Sequence, residues 1–285
     1  TIQANNPDRY IRVPGVKVES GNLVGGGGGE SGEGGSDKPE LILIRTGGAT
    51  YIDQLKREIN TLKKDIKDID RDINNKQKKI SKKEKEIKDK EFWLWSWLPW
   101  VKDEINGLKD EVRQLKSEIS DLKSSKRTKE KELNSNQSQL KEEIKVAAFL
   151  DTIAFAEGTD NEKGYRTIYS YKYFDSYEDH PRRKVTANGI TSDAAGRYQI
   201  LSTTWDGVKD SIGAKDFSPQ NQDLAAIELI KRRNALEDVK DGKIKSAIEK
   251  CSWEWASFPP GRYGQPVKNM DEMLDNYQNN RTKYA

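Results

Sequence analysis

Residues 51–145 carry the most regular hydrophobic pattern of the chain, with isoleucine and leucine recurring every three or four positions among charged residues. Two heptad frames describe the pattern, one in each half of the stretch, and such a repeat predicts coiled-coil helices. The first frame holds Ile52, Leu55, Ile59, Leu62, Ile66, Ile69, Ile73, Ile80 and Ile87, and the second holds Ile105, Leu108, Val112, Leu115, Ile119, Leu122, Leu133 and Leu140. Polar residues interrupt the predicted seam at Lys76, Lys83, Lys126, Lys129 and Asn136.

The two heptad frames are out of phase and are separated by segment 91–100. Pro99 in this segment lacks a backbone donor and disfavours helical conformation at Leu98. The pattern therefore predicts a hairpin of two antiparallel helices with 91–100 at its tip. One continuous helix, kinked at Pro99 and assembled in a parallel oligomer, is the alternative.

The predicted tip is rich in tryptophan, with Trp93, Trp95, Trp97 and Trp100 close together. Indole rings favour the membrane–water interface, where one edge of the ring can stay wet. We therefore predict that the tip contacts either a membrane or a protein partner. Packing against the C-terminal part of the same chain is a third interpretation.

The first 50 residues divide into three short parts. Residues 1–24 alternate weakly between apolar and polar positions and predict a strand-forming attachment arm, with a disordered leader as the alternative. Residues 25–38 are a glycine-rich linker, and 39–50 hold one more short strand and a turn. The chain starts at Thr1 with neither an initiator Met nor a signal-peptide pattern, so we expect a processed chain or a fragment.

Residues 146–285 have the texture of a globular domain, with lower charge density and more aromatic residues, glycine and alanine. Three apolar faces predict helices, and 164–190 predicts a short sheet or irregular lobe. The faces comprise Phe149, Leu150, Ile153 and Ala154, then Leu224, Ile227, Leu229 and Ile230, and finally Ile244, Ala247 and Ile248. The expected fold class is a small α+β domain preceded by the long helical stretch.

Composition excludes several kinds of chemistry. The net charge is +3, with acidic and basic residues interleaved, which does not indicate nucleic-acid binding. With one cysteine, Cys251, and one histidine, His180, we expect neither an intrachain disulfide nor a Cys/His metal site, and no cofactor. No apolar run reaches the roughly 18 residues of a membrane-spanning helix.

Glu157 is the strongest candidate for chemistry. It ends the predicted apolar helix 148–156 and is followed by Gly158. A carboxyl group in an apolar wall tends to keep its proton near neutral pH, and it can then donate that proton to a glycosidic oxygen. By position alone, a solvated glutamate at a helix end is the more common case.

Six sequence blocks in order resemble one known family. They are Phe149-Leu150-Asp151 with Ala156-Glu157-Gly158-Thr159-Asp160-Asn161; Gly164-Tyr165, Phe174, Tyr177 and Asp179-His180-Pro181-Arg182; Ala195-Gly196-Arg197-Tyr198-Gln199 with Leu201-Ser202 and Trp205-Asp206; Lys215-Asp216-Phe217-Ser218-Pro219; Gln222-Asp223; and Cys251-Ser252, Trp255-Ala256-Ser257 and Tyr263-Gly264-Gln265. Together these blocks, which cover about half the chain, are similar to the phage lambda endolysin family, glycoside hydrolase family 104.

The resemblance implies a lysozyme-like fold with a cleft between two lobes. It also implies lytic transglycosylase activity on peptidoglycan, cleaving the β-1,4 bond between N-acetylmuramic acid and N-acetylglucosamine with a 1,6-anhydro product. Glu157 matches the family's catalytic glutamate, which acts first as acid and then as base. The sequence departs from the family at 259–262 and between 165 and 174, which leaves endo or exo action open.

The same resemblance implies that Tyr198, Gln199, Tyr263 and Gln265 line the cleft and contact the sugar, although 196–199 could instead be a purely structural junction. An enzyme preceded by long helices and an attachment arm predicts a lysin tethered to a phage tail or baseplate, carried in the virion and acting on the cell wall. A free endolysin in the host cytoplasm before lysis, a secreted bacteriocin-like lysin, and a glycan-binding structural tail protein are the alternatives.

Overall fold

The computed structural model describes residues 17–19, 22–24, 51–93, 97–187, 189–264 and 266–285. The predicted linker 25–38, the short strand within 39–50 and most of the arm 1–24 lie outside the described residues. Within the arm, Lys17–Glu19 (β1) and Asn22–Val24 (β2) pair as an antiparallel hairpin, with Lys17 opposite Val24. The chain divides into two compact units, one of Thr1–Gln54 with Lys141–Ala285 and one of Leu55–Leu140.

Two long helices account for the heptad pattern: α1 spans Tyr51–Phe92 and α2 spans Pro99–Glu157. In the helical unit, one continuous cluster of buried side chains forms along the predicted seam, comprising Ile73, Ile80, Ile87, Val101, Ile105, Val112 and Ile119. Residues of α1 and α2 that are distant in sequence thus pack together in one cluster. Among the described helices, none combines the length and apolar character that crossing a bilayer requires.

Ion pairs between α1 and α2 step along the two helices in heptads. Lys76 pairs with Glu118, Lys83 with Glu111 and Lys90 with Glu104, so each advance of seven residues on α1 matches a retreat of seven on α2. The polar residues predicted to weaken the seam are therefore bonded across it. The three other polar residues of the seam, all on α2, also bond to acidic residues of α1: Lys126 to Asp70 at 2.6 Å, Lys129 to Asp65 at 2.8 Å and Asn136 to Glu58 at 3.4 Å.

The second unit is built around the last turns of α2. Phe149, Leu150 and Ile153 are fully buried there, and the ring of Phe149 meets Phe258 edge-on at 6.4 Å. The expected helix over 148–156 is thus the end of α2 rather than a separate element. The remaining helices are α3 (Ser202–Val208), α4 (Pro219–Arg232), α5 (Leu236–Asp241), α6 (Ile244–Cys251) and α7 (Met270–Tyr284).

The predicted irregular lobe contains two short antiparallel strand pairs. Thr167–Ile168 (β3) pairs with Lys172–Tyr173 (β4), and Val185–Ala187 (β5) pairs with Ile190–Ser192 (β6). An isolated bridge from Ile168 to Ala195 ties this lobe to the segment before α3. The lobe is therefore tied by backbone hydrogen bonds to the segment that leads into α3.

Candidate active site

Glu157 is positioned by the way α2 ends. Gly158 follows it in the left-handed conformation, with φ +68°, and its N–H donates to the carbonyl of Phe155 at 3.2 Å. The N–H of Thr159 reaches back to the carbonyl of Ala154 at 2.8 Å. These two bonds form the Schellman motif that commonly closes helices at glycine. The chain turns sharply after Glu157, which holds its side chain at the end of the apolar helix.

The Glu157 carboxyl group is half-buried, and Ser257 donates a hydrogen bond of 2.6 Å to its Oε1. Burial raises the pKa of Glu157 from the ordinary 4.5 to about 7, and the hydrogen bond from Ser257 opposes part of that rise. No charged neighbour in the described part of the chain contributes to this pKa. The group therefore keeps its proton up to about neutral pH because water is largely excluded from it.

A polar network braces the turn after Glu157. The Thr159 hydroxyl donates to the carbonyl of Arg197 at 2.5 Å, and the Arg197 guanidinium donates to the carbonyl of Thr159 at 3.1 Å. Arg197 also forms a nearly buried ion pair with Asp151 at 2.9 Å, and the Tyr284 hydroxyl donates to the second oxygen of Asp151 at 2.6 Å. The loop before α3 and the end of α7 are thus both bonded to the last turns of α2.

Exposed aromatic side chains lie on the segments that contact Glu157 and its neighbours. Tyr171 is 70% exposed, and its hydroxyl would lie only 3.0 Å from a Cβ added at Gly158. Trp253 lies four residues before Ser257 in the same segment. The Arg262 guanidinium stacks over its exposed ring at 3.8 Å. Aromatic faces of this kind suit contact with the apolar faces of sugar rings.

The structure places the predicted sugar-contacting residues in different environments. Tyr198 is fully buried, with its hydroxyl donating to Asp223 at 2.6 Å, so the prediction that it lines the cleft is wrong. Its ring and hydroxyl are both satisfied in the core. Gln199 is half-buried and its amide donates to the carbonyl of Gly196 at 2.9 Å. Tyr263 is exposed, with its hydroxyl donating to the carbonyl of Trp253, and Gln265 lies outside the described residues.

Two further residues of the site went unrecognised in the sequence. Ser257 lies 100 positions from Glu157, and no spacing rule links them. Its presence in the Trp255-Ala256-Ser257 block was the only available signal. Tyr171 falls in the segment that diverges from the family, where the resemblance gave no guidance.

His180 and Cys251 belong to the interior and not to the site. His180 donates through Nε2 to the carbonyl of Ile200 at 2.8 Å and accepts at Nδ1 from the N–H of Arg182, and burial lowers its pKa. Cys251 is a buried free thiol, and burial raises its pKa well above the ordinary value. Both groups are therefore neutral at physiological pH.

A partly buried carboxyl group with a pKa of about 7 is the kind of group that glycan-cleaving enzymes use as a general acid. Comparison with known proteins then gives the family. The Endolysin family model matches residues 147–284. The endolysin of Escherichia phage lambda is 44% identical over 138 residues, spanning 46% of this chain and 87% of that protein. The endolysin of Escherichia phage P2 is 37% identical over 145 residues, spanning 45% and 88%.

Solved structures of the same kind also match. A structure of bacteriophage lambda lysozyme complexed with a chitohexasaccharide is 40% identical, covering 48% of this chain and 94% of that one with a TM-score of 0.46. A second structure of lambda lysozyme is 38% identical, covering 50% and 92% with a TM-score of 0.41. This chain belongs to the phage endolysin family. Its C-terminal half shares the lysozyme-like fold of the lambda protein, as the 44% identity across most of that relative requires.

Proposed function

We propose that the C-terminal unit is a peptidoglycan lytic transglycosylase and that Glu157 is its single catalytic carboxyl group. The observation that carries the proposal is the half-buried Glu157, whose pKa is raised to about 7 and whose Oε1 accepts from Ser257. Membership in the endolysin family makes peptidoglycan the substrate class. The lambda lysozyme complex with a chitohexasaccharide supports binding of a glycan strand.

The hydrogen bond from Ser257 decides which oxygen of Glu157 acts. Because Ser257 donates to Oε1, that oxygen is an acceptor and the proton resides on Oε2. Oε2–H protonates the glycosidic oxygen as its bond to the anomeric carbon breaks. The resulting carboxylate then accepts a proton from the muramyl 6-hydroxyl as that oxygen bonds to the anomeric carbon. One bond is broken, one is formed, no water is consumed and Glu157 regains its proton.

The route needs only one carboxyl group. Hydrolytic glycosidases generally work with a pair of carboxyl groups, the second acting as nucleophile or as base for water. Within the described residues, no second carboxylate contributes to the Glu157 pKa. A nucleophile supplied by the substrate itself fits a site with one carboxyl group.

Glycan contact is proposed for the exposed aromatic faces near this carboxyl group. Tyr171, Trp253 and Tyr263 are each at least half exposed. The Tyr171 hydroxyl approaches Gly158, and Trp253 and Tyr263 lie within six residues of Ser257 along the chain. Gln199 and Gln265 remain proposed sugar contacts. Stacking on aromatic faces would orient a glycan strand so that one glycosidic oxygen faces Glu157.

Digestion of purified peptidoglycan followed by mass spectrometry tests the assignment. The wild-type protein should release 1,6-anhydro-muropeptides, and Glu157→Gln should release none while keeping its helical circular dichroism. Glu162→Gln, at an exposed position five residues along the chain, is the matched control and should be fully active. Products with hydrated reducing ends would identify a hydrolase, and turnover by Glu157→Gln would remove Glu157 from the mechanism.

We further propose that the helical unit is an antiparallel coiled coil that acts as a spacer. The heptad steps from Lys76–Glu118 to Lys90–Glu104 support a fixed antiparallel register. Lys76→Glu should lower the thermal midpoint of this unit by placing like charges opposite each other, and adding Glu118→Lys should restore it. A double variant no more stable than the single one would contradict the register.

Whether the enzyme reaches the cell wall from the virion or from inside the host cell is a separate question. The spacer and the arm favour tethering to a phage tail or baseplate, whereas the endolysin names of the relatives favour a free enzyme released in the host at lysis. Mass spectrometry of purified virions beside the lysate tests this. Stoichiometric protein in gradient-purified virions supports the tether, and protein confined to the lysate supports the free enzyme.

A further inference from the structure

The turn between α1 and α2 presents large aromatic side chains to solvent. We call residues 92–100 the aromatic tip. Phe92 is 91% exposed, Trp93 and Trp97 are each 65% exposed, and Trp100 is 64% exposed. Trp95 lies outside the described residues. The buried seam of the helical unit already ends at Ile87 and Val101, so these rings are not needed to hold the two helices together.

The aromatic tip carries no charge. Ten successive residues between Glu91 and Lys102 are uncharged. Of the charges that flank it, Lys90 pairs with Glu104 and Glu91 with Lys109, each at 2.8 Å, and on the α2 side Lys102 and Asp103 follow as neighbours of opposite sign. At the start of α2, the N–H groups of Val101 and Lys102 both donate to the carbonyl of Leu98 at 3.1 Å. The tip is therefore apolar and neutral, and the turn of helix that follows it is hydrogen-bonded back to Leu98.

The arrangement of the rings selects the kind of surface that the tip fits. A protein interface typically supplies a polar rim and about one hydrogen bond per 100–200 Å². Besides Ser96, the tip offers only indole N–H groups as side-chain donors, and its exposed rings sit on both sides of the turn. A bilayer interface surrounds an inserted turn with hydrocarbon while leaving the indole N–H groups near water.

We propose that the aromatic tip inserts into the interfacial layer of a phospholipid bilayer with zwitterionic headgroups. The neutrality of the tip matches the neutrality of such headgroups, so insertion depends on apolar contact and not on attraction to anionic lipid. Ten uncharged residues are too few to cross the hydrocarbon core, which takes about 20. The tip is thus an interfacial anchor at the end of the helical unit, and this inference does not rest on the proposed enzymatic function.

Vesicles of phosphatidylcholine provide the test, with the full-length protein and binding measured by co-flotation. The triple variant W93S/W97S/W100S should bind at least about tenfold more weakly than wild type. W253S, which removes a 52% exposed tryptophan from the other unit, should bind vesicles as wild type does. Raising salt from about 0.05 to about 0.5 M, which collapses the Debye length, should change binding by less than about twofold. Insertion should shift the tryptophan emission of wild type to the blue, and brominated lipid should quench it, with both effects lost in the triple variant.

Three outcomes would overturn the proposal. Equal binding by wild type and the triple variant would remove the tip from membrane contact. Binding only to anionic vesicles, and lost in salt, would assign it to the lysines. Absence of vesicle binding together with tip-dependent binding to whole cells would identify a protein receptor. Unchanged circular dichroism and unchanged release of soluble muropeptides by the triple variant establish that it is folded and that the enzyme unit is unaffected.

Discussion

Replacing Glu157 with glutamine should stabilise the protein at alkaline pH while abolishing its activity. Burial makes the folded state bind the Glu157 proton more tightly than the unfolded chain does, since the pKa rises from 4.5 to about 7. The stability contributed by this site is therefore complete below pH 4.5 and is lost as pH rises through about 7. A rise of this size corresponds to roughly 2–3 kcal/mol, allowing for the solvent on the open side of the carboxyl group.

Glutamine keeps the shape of the protonated carboxyl group and can still accept the Ser257 hydrogen bond, but it cannot ionise. Urea unfolding should thus give Glu157→Gln and wild type similar stabilities at pH 5. At pH 8 the variant should be more stable by roughly 2–3 kcal/mol. In wild type, folding must then either bury an ionised carboxyl group or take up a proton that the unfolded chain has released, whereas glutamine does neither.

The assay is urea unfolding at several pH values between 5 and 8, followed by near-ultraviolet circular dichroism from the buried Trp205 and Trp255. Other titrating groups are common to both proteins and cancel in the difference. Glu162→Gln, at an exposed position, should track wild type throughout. If the stability difference between wild type and Glu157→Gln were independent of pH, the carboxyl group would not be desolvated and the general-acid argument would fail with it.

Three other substitutions test separate contacts of the site. Ser257→Ala removes the hydrogen bond that lowers the Glu157 pKa, so the alkaline limb of kcat/KM should move to higher pH; an unmoved limb would show that the bond does not tune the acid. A lysine in Arg197→Lys cannot bond to both the Thr159 carbonyl and Asp151, so the free energy of unfolding in urea should fall by about 2–4 kcal/mol. An unchanged free energy of unfolding would show that the network does not stabilise the fold. Trp253→Ala should raise KM for glycan strands with kcat nearly unchanged, and a fall in kcat alone would argue against a binding role.

Periodicity was the most dependable signal in this sequence. The two helical arms follow from heptad spacing, since apolar residues every three or four positions must share a helix face. Within either helix alone, the polar residues on the seam interrupt the hydrophobic pattern. In the structure, Lys126 and Lys129 bond to Asp70 and Asp65 on the facing helix. Which acid lies opposite each lysine depends on the register between the helices, and that register is invisible within either frame alone.

Burial of individual side chains was harder to predict. Tyr198 and Gln199 are neighbours in one sequence block, and both were predicted to line the cleft. The fold places the Tyr198 ring in the core and turns Gln199 only partly outward. A tyrosine can satisfy its hydroxyl in the interior when a buried acceptor is available, as Asp223 is here. Nothing in the local sequence reveals that acceptor, because it comes from α4.

Elements with short-range causes can be predicted from the residues alone: the two heptad helices, the break at Pro99, the apolar run that ends at Glu157 and the glycine that closes it. Hydrophobic spacing and the conformational freedom of Gly158 act over a few residues, so they can be read along the chain. The chemical character of Glu157 depends instead on long-range packing. The pKa of its carboxyl group depends on how much water is excluded and on a serine 100 positions away, and both are set by packing between distant segments.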